Sequence, residues 1–265
     1  MNCIFICVFG QSKYVDMFYL LLESILLFGK LDDNTDILVY TSSQFMTMIQ
    51  TNRLFTNKIK FEINDTYDTV WLAAKSRIDL FGFESVTKYN KILYLDTDII
   101  VKDSVNKVFD AINDDILYVL REGNITEFFW GSQIFGNEAS NYNDNSAFTT
   151  GIMLFNNCEK IRFLFDKVNE HINTRPCPDA FYEQAYIIYN AFKYKLYDNK
   201  TLESLVVNND HNIHSNKVVH HFPGGVGNYL HKLDSMTKFL DAIKTSIPVP
   251  VYLANYRLRI LRRIQ

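Results

Sequence analysis

The run Lys91-Ile92-Leu93-Tyr94-Leu95-Asp96-Thr97-Asp98-Ile99-Ile100-Val101 sets two carboxylates between two strongly apolar stretches. Ionised carboxylates inside a buried strand are costly unless something compensates them. The less costly arrangement ends the strand before Asp96 and leaves both aspartates at the carboxyl edge of a sheet, where open α/β folds bind ligands. Two acidic groups there can share a hard divalent cation that keeps open positions for phosphate oxygens. So short a motif can equally be a turn whose aspartates cap the next segment. The segments around it weigh between the two readings.

Upstream, apolar strands alternate with helical stretches. Residues 3–9 are a wholly apolar run, as expected of a strand covered on both faces. Ser12 is placed to cap a helix running to Phe28, with Gly29 ending it. Residues 36–41 read as a second buried strand, 43–54 as a helix, 58–63 as an alternating strand, and 66–81 as a helix ended by Gly82. The D-x-D run therefore closes a fourth strand, and the alternation predicts an α/β fold with a mixed, mainly parallel central sheet flanked by helices.

Downstream the pattern is less regular. Residues 116–121 read as a strand and 151–155 as another, separated by an Asn-, Gly- and Ser-rich stretch (123–147) that reads as a long functional loop. Asn157 is placed to cap a helix reaching Ile172, and Asp179 one reaching Phe192. Residues 217–222 form a late strand running into Pro223 and Gly224, and 231–243 a last amphipathic helix. Neither a repeat nor a linker composition is seen, so one domain over 1–265 with an elaborated second half is expected.

Composition excludes several classes. The net charge of −3 gives no basic field for wholesale nucleic-acid binding. Cys3, Cys7, Cys158 and Cys177 form no C-x-x-C pair, which argues against structural zinc, and Cys3 and Cys7 read as small buried hydrophobes in a reducing compartment. The apolar N-terminus lacks a basic n-region, and no run reaches transmembrane length, so a cytoplasmic protein is expected. The glycines after Pro223 do not spell a dinucleotide fingerprint between a strand and a helix. The tail carries Arg257, Arg259, Arg262 and Arg263 among aromatic and aliphatic residues; it reads as a solvated terminal helix or as a peripheral contact with an anionic membrane.

The run from Tyr94 to Val101 resembles the metal motif of glycosyltransferase family 8, and further segments follow in order. Residues 7–14 resemble the family's first strand and nucleotide-contacting loop, with Phe9 in it and Tyr14 where a tyrosine stacks on uracil. Arg77 resembles the basic residue near the donor. Phe148-Thr149-Thr150-Gly151 resembles the F-N-x-G strand, Glu183-Gln184 with Asn190 the D-Q-x-x-x-N pattern, and His221-Phe222-Pro223-Gly224 the late H-F-x-G metal segment. Departures are Glu183 for Asp, Thr149 for Asn, Asn190 one residue late, and Gly227 where a lysine belongs, which leaves Lys232 as the nearest candidate for the diphosphate.

The resemblance implies a GT-A (Rossmann-like) fold and a retaining transfer from a UDP-sugar, glucose or galactose, with Mn²⁺ or Mg²⁺ held by Asp96, Asp98 and His221. Phe9, Tyr14, Arg77, Thr97, Gly224 and Lys232 would contact the donor. Gln184 would lie at the reacting carbon, with Glu183 either supporting a positive intermediate or pairing with a base. The acceptor would be a hydroxyl on a glycan, protein or lipid, with about 1–102 the nucleotide-binding half and about 103–265 the acceptor-binding half and C-terminal tail. Read from residues alone, Tyr14 and Arg77 are also compatible with surface positions and Gln184 with a satisfied core amide. Other chemistries open at this stage are a metal-dependent nucleotidyltransferase or phosphohydrolase and a non-catalytic sugar-nucleotide-binding module.

Overall fold

A computed structural model describes residues 1–177, 182–224 and 229–246. The first strand, β1 (Asn2–Val8), shows why the chain folds as it does. Its side chains alternate between two cores: Cys3 and Phe5 face one, Ile4, Ile6 and Val8 the other. Both faces are covered, so a continuous apolar run is the sequence that fits. The helix α1 (Lys13–Phe28) and then α2 (Ser43–Thr51) cover the second face, between and after β2 (Thr35–Thr41). β3 (Ile59–Ile63) follows, then α3 (Val70–Lys75), a 3₁₀ turn over Ser76–Gly82, and β4 (Lys91–Leu95).

Past the two aspartates come β5 (Ile99–Val101), α4 (Asn106–Phe109), β6 (Leu117–Asn124), α5 (Ser132–Phe135) and the long β7 (Ser146–Asn156). The chain continues through α6 (Glu159–Thr174), α7 (Gln184–Tyr194), β8 (Tyr197–Asp198), β9 (Val206–Asn208), β10 (Val219–His221) and α8 (Tyr229–Ser246). The main sheet has the order β3-β2-β1-β4-β7-β6-β8. It is parallel from β3 through β4 and between β6 and β8, and antiparallel where β7 pairs with β4 and β6. This is the expected mixed, mainly parallel sheet, with α6 and α7 on the face opposite α1. A second sheet, β5-β10-β9, packs α8 against α1 through Met17, Phe28, Ile100, Phe222, Met236 and Phe239.

Several boundaries differ from the sequence reading. Ser12 is helical and makes no side-chain cap, and Gly29 stops α1 at an ordinary φ of −67° rather than in the left-handed region. The helix expected over 66–81 starts only at Val70, because Thr66 closes a turn on the Asn64 side chain and Thr69 is the capping residue. Its second half tightens into the 3₁₀ turn that carries Arg77. The stretch 123–147 is not a structureless loop: it holds α5 and 3₁₀ turns at Phe128–Trp130 and Gly136–Asn141, anchored by Ile134 and Phe135 in the core. Asp179 and the arginine-rich tail lie outside the described residues. All four cysteines are free, with Cys3 buried and Cys7 partly so. Among the described residues no helix is long and apolar enough to cross a membrane.

Asn157 does not cap α6; Cys158 occupies that position and makes no side-chain cap. Instead Asn157 Nδ2 donates to the carbonyls of Val86 and Tyr89, both at 2.9 Å, and its Oδ1 accepts from Arg162 at 2.9 Å. It thus ties the end of β7 to the turn before β4. Asn157→Ala leaves those groups without their partner, and urea denaturation should show a loss of about 1–3 kcal/mol. An unchanged midpoint and slope would show that the two carbonyls do not depend on Asn157.

Candidate active site

β4 delivers the first carboxylate. The Asp96 N–H still donates to the Gly151 carbonyl across the β4–β7 ladder at 2.8 Å, so its side chain emerges at the sheet's carboxyl edge. Tyr94, two residues earlier and therefore on the same face, donates its hydroxyl to Asp96 Oδ1. Arg77 reaches the same oxygen at 3.1 Å.

The second carboxylate belongs to the smaller sheet. The Asp98 carbonyl accepts from Phe222 N–H at 2.9 Å, and β5 pairs with β10 so that Ile99 faces His221 and Ile100 faces His220. The two histidines consequently point opposite ways. His221 Nε2 lies 3.3 Å from Asp98 Oδ1. His220 is fully buried against Phe239, ring centroids 4.6 Å apart, with Nδ1 on the Asp210 carbonyl at 2.9 Å. Burial in that apolar setting pushes the His220 imidazole below its ordinary value.

Asp96, Asp98 and His221 can bring one ligand atom each within 4.8 Å of one another. Gly151 makes room for this. A Cβ there would stand 2.7 Å from His221 Cε1, 2.9 Å from its Nε2 and 3.0 Å from Asp96 Oδ2. Two carboxylates and one imidazole suit a divalent ion such as Mn²⁺ or Mg²⁺, so the donor set fits the metal that the motif implies.

The positive charges of the site are placed around the same atoms. Arg77 is 9% exposed, which removes the reading of it as an exposed helix residue. Its Nε pairs with Glu183 Oε1 at 2.9 Å, an Nη donates to the Thr150 carbonyl at 2.8 Å, and its guanidinium lies 4.8 Å from the Tyr94 ring centre. Burial alone would disfavour the cation, but Asp96 and Glu183 outweigh it. Glu183 is likewise no solvated helix carboxylate: burial pushes its carboxyl up to about 7, with Arg77 pulling the other way. Lys232, from α8, sits 2.6 Å from Asp98 Oδ2. Burial would raise the Asp98 carboxyl, yet His221 and Lys232 together hold it well below the ordinary range.

Two adjoining clefts meet at the carboxylates. One, of about 280 Å³, is lined by Phe9, Tyr14, Thr97, Arg77, Gly224 and Lys232 among others. Phe9 is packed edge-on against Tyr40 and Tyr67, and Gly10, at φ +85°, turns the chain so that Tyr14 flanks the opening. The other, of about 340 Å³, holds Gln184, Glu183, Thr150 and His221, with Phe129, Trp130 and Glu122 on its wall. Gln184 is fixed rather than free: its Oε1 accepts from the Thr150 N–H and hydroxyl, each at 3.2 Å, and its Nε2 donates to the Phe129 carbonyl at 3.3 Å. Asn190 is not part of this cluster; it is buried in α7 and bonds back to the Tyr186 carbonyl.

Every site residue expected from the sequence therefore borders one of the two clefts. Sequence reasoning missed Tyr94, which period-two spacing from Asp96 could have indicated, and it missed Glu122 and Asn208, for which no sequence signal exists. Asn208 Oδ1 lies 2.8 Å from His221 Nδ1, and Asn208 Nδ2 donates to Glu122 Oε2 at 2.7 Å.

A family model described as glycosyl transferase family 8 matches residues 32–224. The chain belongs to glycosyltransferase family 8. It is thus a glycosyltransferase, and the family implies a nucleotide-sugar donor and a glycan-type acceptor. The fold is shared with solved GT-A enzymes. Galactosyltransferase LgtC, in complex with donor and acceptor sugar analogues, matches at a TM-score of 0.60 and 15% identity, over 91% of this chain and 96% of that one. The bifunctional glycosyltransferase WbbM matches at 0.61 and 14% identity over 99% of this chain and 51% of its own, so this chain spans about half of its length. Mouse xyloside xylosyltransferase 1 matches at 0.57 and 12% identity, over 86% of this chain and 99% of that one. No curated protein sequence matches the chain.

The opposed histidines give a direct test. His221→Ala should weaken Mn²⁺-dependent UDP binding at least tenfold in calorimetry, whereas His220→Ala should change it less than twofold once folding is verified by circular dichroism. Equal effects of the two substitutions would remove His221 from the ligand set.

Proposed function

We propose that this family 8 chain is a retaining hexosyltransferase that moves glucose or galactose from a UDP-sugar to a hydroxyl of a glycan, protein or lipid acceptor, with Mn²⁺ or Mg²⁺ bound by Asp96, Asp98 and His221. The observation that carries the reading is the meeting of these three side chains where the clefts adjoin, Asp96 and Asp98 lining both and His221 the second. A donor lying across that boundary would have its nucleotide against Phe9, Tyr14 and Thr97 and its sugar against Gln184. On this reading residues 1–102 are chiefly the donor half and the remainder the acceptor half.

When bound, the divalent ion supplies Lewis-acid stabilisation of the departing diphosphate. The chain's own groups do the rest. Lys232, beside Gly224, offers a point charge to the same phosphates, moving from its contact with Asp98. Arg77 is held in place by Glu183 and orients Asp96, so Glu183 serves by pairing with that base. Gln184 presents a fixed amide to the anomeric carbon, where its dipole stabilises developing positive charge without a covalent intermediate. The acceptor hydroxyl then attacks from the face that UDP leaves, and configuration is retained.

A panel of UDP- and GDP-sugars incubated with Mn²⁺ or with EDTA tests this without knowledge of the acceptor. Slow release of free UDP and sugar, lost in EDTA, is expected. UMP with a sugar phosphate would establish cleavage between phosphates instead, and tight UDP binding with no turnover would establish a binding module. UDP affinity equal in Mn²⁺ and EDTA would refute the metal-bridged donor.

Gln184→Ala should lower turnover by about 10²-fold or more while leaving the Kd for UDP within about twofold. Unchanged turnover would take Gln184 out of the chemistry.

A further inference from the structure

The metal-facing imidazole is gripped from behind by groups to which neither the D-x-D nor the H-F-x-G motif points. His221 Nδ1 lies 2.8 Å from Asn208 Oδ1, and Asn208 Nδ2 lies 2.7 Å from Glu122 Oε2. The three residues come from three strands: His221 from β10, Asn208 from its parallel neighbour β9, and Glu122 from β6 of the main sheet. The His221–Asn208 pairing is set by register, since these two residues are direct partners across β9 and β10.

The chemistry of the chain of bonds has one consistent direction. Glu122 Oε2 accepts from Asn208 Nδ2, so the amide NH₂ faces Glu122. That leaves the amide oxygen toward His221, and an amide oxygen also only accepts. His221 must then carry its proton on Nδ1, which leaves the Nε2 lone pair directed at the Asp98 side, where a metal would be held. Reversing the amide would put NH₂ against Nδ1 and push the proton onto Nε2, a tautomer that binds no metal there.

We infer that Glu122 and Asn208 are positioning residues that fix the amide orientation, and through it the tautomer and ring setting in which His221 binds the donor's metal ion. The inference rests on the metal-bridged donor reading above. Glu122 acts only through Asn208, so its contribution is not independent. Partners of a ligating histidine typically change metal affinity by about 10–100-fold when removed.

The test measures Mn²⁺ uptake by electron paramagnetic resonance, with UDP held at a fixed saturating concentration and no acceptor. Asn208→Leu and Glu122→Leu should each weaken Mn²⁺ binding by about 10–100-fold, with melting temperatures in EDTA unchanged. Asn208→Asp combined with Glu122→Gln, which keeps an acceptor toward Nδ1 and an NH₂ donor between the two side chains, should recover most of the affinity. The double leucine variant should be no worse than Asn208→Leu alone, because the two side chains act in series. If Asn208→Leu does not fold, Glu122→Leu and the Asn208→Asp, Glu122→Gln pair decide the matter by the same affinity measurement. Wild-type uptake with Asn208→Leu, or else Glu122→Leu, within twofold of it would overturn the inference. So would additive losses in the double variant, which would mean that Glu122 acts directly on metal or donor. Absence of Mn²⁺ uptake by the wild-type protein would instead overturn the donor-site reading, and this inference with it.

Discussion

Two carboxylates that one divalent ion could bind, set at the buried edge of a sheet, are the constraint around which this molecule is arranged. Left alone they would repel each other. The chain answers with one cation for each. Arg77 meets Asp96 and Lys232 meets Asp98, with His221 beside both aspartates. The two cations differ in a way that suits their positions. Arg77 is locked by Glu183, Thr150 and the Tyr94 ring, so it is a permanent part of the wall. Lys232 meets Asp98 at the end of a flexible stem and, among the described residues, forms no other ion pair.

Steric room matters as much as charge. Gly151 stands where any side chain would press on His221 and Asp96 together, and Gly123, at φ +67°, leaves its Cβ position to the Trp130 indole. The first glycine lets Asp96 and His221 approach each other; the second lets the Trp130 indole lie against β6 at the wall of the cleft that holds Gln184. Neither could be exchanged for alanine without moving a functional side chain.

Much of this was legible in the chain before folding. β1, β2 and β4 follow their apolar runs closely, because strands buried on both faces admit polar residues only where these find partners, as Thr35, Asp36 and Thr41 do at the ends of β2. The D-x-D pair was legible for the same reason, as acid where the apolar pattern breaks. Caps were less legible: Ser12 and Asn157 have the right chemistry in the right place, yet Ser12 makes no cap and Asn157 is drawn to carbonyls distant in sequence. The stretch 123–147 looked like loop because its composition is polar, while Ile134 and Phe135 are enough to seat short helical turns on the core. Glu122 and Asn208 were invisible because their meeting depends on two sheets coming together, 86 residues apart in the chain.

The join between those sheets has a thermodynamic side. Asp96 is hydrogen-bonded into the main sheet through Gly151, and Asp98 into the small sheet through Phe222, with only Thr97 between them. Any ligand that grips both carboxylates therefore also clamps one sheet to the other. Occupancy of the cleft and closure of the small sheet with α8 become a single linked equilibrium, in which each favours the other by the same free energy. The apolar contacts of Met236, Phe239 and Leu240, which lie outside both clefts, are thereby coupled to the affinity for such a ligand. Selection acting on how tightly the cleft holds such a ligand can work through the packing of α8 as readily as through the cleft itself.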